Sequence, residues 1–570
     1  MQPSSLLLSI ALVGIACVMG RPSVPPPVGA NAMVLQQVVS TAVASGPPVL
    51  TIPAGKYVFS NTSLTIEGAQ DLLIEAYGVT LVFYLGFGVQ IMHTRNLTVR
   101  GMTLDSDPPN YAQGNVTRWL NSSAFVAKID ERFIPPDTTA QPFNQPGGTA
   151  GAKIMIWDAA TRLPSYAYNF MRSSVPSGSG LWTIGMKHPG LAMAAGSLVT
   201  IFPRRGYTWR NFNSSATVAE DITIHAGGNM GFLEQVGEGG HVYRRVRIVR
   251  GPGSPGLMAL NADGFHSTSV RVGPALEDSE IAFTGDDHLN LLARMLVVCT
   301  SLGATAAASS SAPASAPATV SSISLAIIDV ANGALATQAT EGASRFDDAA
   351  RWRAEAGAEL GFDALAATRP GDEMRFYQLL PGNHPPLNPL IGAATIASSV
   401  QITDGGLLKE CHAAAAAMQQ PPYNAHLIVN VQHSPVYRID FMEPLPAAVT
   451  ATKFNLVSLE RQSGADAVLR GNNFHDSCGS GGRIILKTRN ATYVDNIAAR
   501  FGGLHVYTEQ EWLEGDLGLR NVHLKNNTFI DTHGTPSPIH VDVMQGLENV
   551  TCQDTTYVIG KNTTTRSRGC

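Results

Sequence analysis

A chain of 570 residues with a formal net charge of −5 carries no long basic run, which argues against a nucleic-acid partner. Its 55 Gly and 35 Pro suit a turn-rich β protein better than a helical one. Length alone suggests several domains, but a solenoid grows in one dimension and escapes that prior.

The chain opens with an apolar run, Leu6–Met19, of the length of a secretory leader, with Gly20 as a candidate last residue before cleavage. The run is too short for a comfortable membrane span, and no other apolar segment is long enough. Residues 1–20 therefore read as a signal peptide and the remainder as secreted or lumenal, with no membrane partner. Nine Asn-x-Ser/Thr sequons agree with that route: Asn61, Asn96, Asn115, Asn121, Asn213, Asn490, Asn526, Asn549 and Asn562. Beyond the leader lie Cys299, Cys411, Cys478, Cys552 and Cys570. Cys552 and Cys570 are placed to close a C-terminal loop in an oxidising compartment. No CxxC or Cys/His cluster suggests zinc.

Short β-runs with a polar cap follow. Asp71-Leu-Leu-Ile-Glu and Asn96-Leu-Thr-Val-Arg are 25 residues apart (96 − 71), and Asp221-Ile-Thr-Ile and Arg245-Val-Arg-Ile repeat the pattern 24 apart (245 − 221). Asn473-Phe and Asn496-Ile continue it, as does Arg520-Asn-Val-His-Leu-Lys-Asn-Asn-Thr-Phe. A period of this size with Asn or Asp near each turn predicts an all-β fold, a right-handed parallel β-helix.

Two stretches break the period. Residues 115–205 carry longer runs, such as Lys153-Ile-Met-Ile-Trp157 and Ser197-Leu-Val-Thr-Ile-Phe202, and read as an inserted small β domain. After the Ala/Ser/Pro-rich linker 301–325, residues 326–450 read as a second one. It includes a helical stretch, Arg345–Ala367, and the strand-like Glu373–Tyr377 and Val436–Asp440. The coils are then divided into 21–114, 206–300 (holding the catalytic coils) and 451–550, with a tail at 551–570.

The chemistry concentrates in Asn261-Ala-Asp263-Gly-Phe-His266 and Gly285-Asp286-Asp287-His-Leu-Asn290. Asp263 and Asp286 are 23 residues apart (286 − 263), about one coil, and stacked coils sit about 4.8 Å apart. Asp263, Asp286 and Asp287 are thus expected to meet. Crowded carboxyls repel one another, and at least one pKa rises. A proton donor beside a charged base is what glycoside hydrolysis requires. If extended, neighbouring Asp286 and Asp287 would point oppositely, one to the groove and one to a turn, unless a bulge redirects one.

Those two motifs resemble the α-1,3-galactosidases of glycoside hydrolase family 110. Supporting blocks are Val99-Arg-Gly-Met-Thr-Leu-Asp105-Ser-Asp107-Pro, Gln113-Gly114, Gly482-Arg483-Ile-Ile-Leu-Lys487, Glu511-Trp512-Leu-Glu514-Gly515 and Asn521–Phe529. The resemblance implies a β-helix with two small inserted β-barrels and inverting, cofactor-free removal of terminal α-1,3-linked galactose. It implies Asp286 as general acid, with Asp263 and Asp287 holding and deprotonating the water. The Ala/Ser tract after the acidic motif departs from the family pattern.

Candidate substrate-binding residues are His266, Asn290, Arg483, Trp512, Glu234 and Glu514. His266 and His288 flank the acids and can bond a hydroxyl, tune a carboxyl or serve structure alone. Arg483 can clamp a hydroxyl or balance the acidic cluster. Trp512 can stack on galactose. Two other enzyme classes compete. A polygalacturonase-like hydrolase shares the Asn-x-Asp and Asp-Asp layout, but this chain lacks that family's Gly-His-Gly and Arg-Ile-Lys. A pectate lyase would hold Ca²⁺ in its carboxylates. A non-catalytic carbohydrate-binding β-helix is the remaining alternative.

Overall fold

The structure is a computed structural model. It describes residues 30–60, 62–84, 88–137, 143, 152–188, 195–204, 206–293, 295–302, 324–328, 368–378, 390–418, 436–451, 455–477, 482–507, 515, 519–531, 539–541, 548–559 and 563–567. The proposed leader, most of the linker, the helical stretch Arg345–Ala367, Trp512 and Glu514 lie outside these residues. Among the described residues no helix is long and apolar enough to cross a membrane.

Each coil contributes three short parallel strands. In one coil these are Val218–Glu220, Thr223–Ile224 and Met230–Gln235. The first two strand columns form a 19-stranded sheet and the third a 9-stranded sheet, so the chain is a parallel β-helix. Alternate side chains point inward and stack along the axis. Trp209, Phe232, Phe265, Leu289, Ile484 and Leu504 are consecutive rungs of one buried row.

The polar caps seen in the sequence are the corners of the coil. Asp71, Asn96, Asp466, Asn490, Asn521 and Asn549 adopt φ of 52 to 66°, left-handed conformations that Asn and Asp tolerate best among non-glycines. Their side chains form a ladder: Asn96 Nδ2 donates to Asp71 at 2.8 Å, Asn490 to Asp466 at 3.0 Å, Asn521 to Asn490 at 3.0 Å and Asn549 to Asn521 at 2.9 Å. The helix Ala30–Ser45 covers the first coil with Leu35, Val39 and Ala42, shielding an edge that would otherwise template strand addition.

Both interruptions are closed six-stranded antiparallel barrels. The first uses strands between Ala112 and Phe202 and leaves the coil at the turn between the second and third strand columns. The second uses strands between Leu296 and Leu459 and leaves after the third column. It therefore takes Leu296–Leu302 and Asn455–Leu459 from stretches that the sequence assigned to coils. Both runs are short and apolar, a pattern that suits a coil and a barrel strand equally. The helix Gly405–Met418 packs on this barrel, where the free thiols of Cys299 and Cys411 share one apolar cluster. Cys552 is disulfide-bonded, with its partner outside the described residues.

Candidate active site

Asp263, Asp286 and Asp287 occupy the turns between the second and third strand columns on successive coils. The register pairs Phe265 with Leu289 and His266 with Asn290, so Asp263 stacks on Asp287, 24 residues on, and Asp286 lies beside them. The sequence period had placed Asp286 in that stacked position; the coil is one residue longer. Asp286 and Asp287 sit in an irregular turn rather than a strand, so pleat alternation does not apply and both carboxyls face the same place. One oxygen from each of the three acids lies within 4.8 Å of the others, and all three residues are buried.

Two glycines allow this approach. A Cβ at Gly264 would lie 2.4 Å from Ile281 Cγ2 and 2.7 Å from His288 O, and one at Gly285 would lie 2.5 Å from Asn261 O. Backbone bonds from Gly264 N to Asp287 O (2.9 Å) and His288 N to Arg483 O (2.9 Å) hold the coils at that spacing. Gly285→Ala should force the two turns apart, costing about 1–3 kcal/mol as overpacked sites do. Thermal melting checks this, and an unchanged midpoint would show the contact to be soft.

Each acid has a basic partner. His266 Nδ1 lies 2.8 Å from Asp263 Oδ2. Arg483 donates to Asp287 through its backbone N (3.1 Å), Nε (3.0 Å) and Nη2 (3.2 Å), while Nη1 reaches Tyr507 Oη at 3.1 Å. Asp286 meets two cations, Lys153 Nζ at 3.2 Å and the Arg204 guanidinium. Burial alone would raise the Asp263 carboxyl. The bond with His266 and the charges of Arg204 and Lys153 outweigh it and hold the group below the usual carboxylate range. At Asp287 burial wins: it raises the carboxyl, aided by Asp263, against the pull of Arg483 and Lys153. Burial also drives the Lys153 ammonium well down, with Arg204 adding to the effect and Asp287 and Asp263 opposing it.

Three carboxylates this close have the spacing of a divalent-cation site. Arg204 and Arg483 already face Asp286 and Asp287 as guanidinium ions, so a dication would compete with built-in cations.

Of the sequence-predicted binding residues, His266 touches the trio, Arg483 clamps it, and Asn290 is His266's rung neighbour with a buried Oδ1 that has no hydrogen-bond partner among the described residues. Glu234 is not in the pocket. It shares the inward face of its strand with Phe232, fully buried beside Tyr243 and Ser267, and burial raises it to about 8. His288 serves structure: its ring nitrogens face Gly482 O (2.8 Å) and His475 O (3.2 Å). Lys153, Arg204 and Tyr507 were missed. Lys153 and Arg204 arrive through the first barrel, at no fixed sequence interval from the acids. The one available signal was a lysine opening the otherwise apolar run Lys153–Trp157.

No family model matches the chain, and no curated protein matches it. The fold is that of a parallel β-helix bearing two barrels. Among solved structures, the mannuronan C-5 epimerase AlgE4 A-module of Azotobacter vinelandii is similar at 9% identity over 93% of both chains, with a TM-score of 0.30. The Gp54 tailspike of Acinetobacter baumannii bacteriophage AP22, solved with capsular saccharide, matches 44% of this chain and 52% of its own at 9% identity and a TM-score of 0.14. The gp49 tailspike of Pseudomonas phage LKA1 matches 43% and 44% at 13% identity and a TM-score of 0.13.

Proposed function

We propose that the protein is an exo-acting glycoside hydrolase that removes terminal α-1,3-linked galactose from glycans or polysaccharides with inversion. The observation that carries this reading is the convergence of Asp263, Asp286 and Asp287, each with its own basic partner, in the two motifs that resemble glycoside hydrolase family 110.

In the reaction one carboxylic acid protonates the glycosidic oxygen as the C1–O bond breaks. Water attacks C1 from the opposite face and gives its proton to a carboxylate. One water is consumed, and β-galactose and an alcohol are formed. Two carboxylate oxygens within 4.8 Å can grip one water between them, leaving the third acid as donor. Asn290 Oδ1 supplies an acceptor for a sugar hydroxyl. No metal or organic cofactor is required by this chemistry.

The oxygens lie closer than the roughly 6.5–9.5 Å usual between the acid and base of inverting enzymes, so product stereochemistry is the test. NMR of the first product from an α-linked galactoside should show β-galactose. The α-anomer at early time would rule out inversion. A calcium-dependent, unsaturated product would replace hydrolysis by a lyase reaction.

A further inference from the structure

We infer that the first inserted barrel is part of the catalytic unit: Lys153 and Arg204 are positioning residues that keep Asp286 a carboxylate, making it the group that holds and deprotonates the water. This rests on the hydrolase reading above and reverses the role that the motif resemblance gave Asp286.

The geometry is specific. Lys153 opens the barrel strand Lys153–Trp157, and Arg204 lies two residues past the end of Leu198–Phe202, the strand paired beside it. The barrel leaves the coil at the same turn level that holds the acids, so its near end lies over them. Lys153 is almost wholly buried, and a buried ammonium is tolerated only where an anion faces it. Its Nζ meets Asp286 Oδ1 at 3.2 Å while Arg204 meets the other oxygen. A carboxyl that faces a guanidinium on one oxygen and the lysine nitrogen on the other is favoured as a carboxylate and suits a base better than an acid. Around it stand two further acids, Asp263 and Asp287, and two further bases, His266 and Arg483. Asp263 carries His266 and is held ionised. Asp287, stacked directly on Asp263, is raised by burial against the pull of Arg483, which grips both of its oxygens.

The test is the pH profile of kcat/KM for Lys153→Met, Lys153→Arg and Arg204→Met. If Asp286 is the base, activity falls as pH drops through its pKa. Removing one cation raises that pKa, so the acidic limb should move up by about one pH unit. The alkaline limb should move less, and Lys153→Arg should restore the wild-type profile. If Asp286 is instead the acid, the alkaline limb moves up and the acidic limb stays. If neither limb moves, the cations do not position Asp286. Both of these results overturn the assignment.

Arg204 is the more exposed of the two, so its variant keeps the test alive should Lys153→Met fail to fold. If the wild-type protein releases sugar from no galactoside, the hydrolase reading fails separately. The melting temperature against pH then reads the same ionisation without turnover. Stability held by the Asp286 ion pairs is lost as pH falls through its folded pKa, and in Lys153→Met that loss should be smaller and be complete about one pH unit higher. Superimposable melting profiles would overturn the inference.

Discussion

Asp286→Asn should lower kcat on an α-galactoside by about a thousandfold while the protein stays folded. Proton transfer by a positioned side chain contributes roughly 10²–10⁴ in rate, and an amide neither accepts the water's proton nor donates one of its own. Asp263→Asn and Asp287→Asn should fall comparably, because the three act as one unit and such losses do not add. The variants also leave cations without their anion: Lys153 and Arg204 at position 286, Arg483 at 287. Each should therefore be checked by melting and by galactose binding. A folded, sugar-binding Asp286→Asn with near-normal turnover would refute its part in the chemistry.

Glu234→Gln should change stability in a strongly pH-dependent way. The Glu234 carboxyl sits at about 8 in the fold, against 4.5 when free. Such a raised group stabilises fully below about pH 4.5 and loses that contribution as pH rises, until the folded form also ionises near 8. At 1.36 kcal/mol per unit, keeping it protonated at pH 7 costs the native protein about 3 kcal/mol relative to pH 4.5. Gln cannot ionise and escapes the cost. The difference in urea-unfolding stability between variant and wild type should grow by that amount from pH 4.5 to 7 and level off above 8. Parallel pH profiles would show that the carboxyl is hydrated or otherwise paired.

The coil was legible because its corners impose chemistry on single positions. Asp71, Asn96, Asn490 and Asn549 recur where the backbone turns left-handed, and Leu, Ile, Val and Phe recur where side chains enter the coil. The acidic trio was legible because its members lie one coil apart, although coil length varies and the stacked partner of Asp263 proved to be Asp287 rather than Asp286. Glu234 was misplaced because a carboxyl in a groove and one inside a coil look alike in composition. Its parity with Phe232 was the clue, since residues two apart on a strand share a face. Lys153 and Arg204 could not be found by spacing. The barrel fold, not the coil period, decides where they end up.

The same difference separates the two barrels. Both interrupt the solenoid, but they leave from different corners of the coil. Among the described residues the first supplies Lys153 and Arg204 to the acids. The second meets the coil through Asp372, whose carboxylate takes Arg271 Nη1 at 2.9 Å and Nη2 at 2.6 Å. That contact anchors the barrel to the coil away from the trio.

The most direct measurement is sugar release by the purified protein from a panel of α-linked galactosides of differing linkage, with Asp263→Asn, Asp286→Asn and Asp287→Asn run alongside. The account predicts free galactose from the α-1,3-linked member, unaffected by a chelator and absent with all three variants. No galactose from any member, or equal release by the variants, would contradict it.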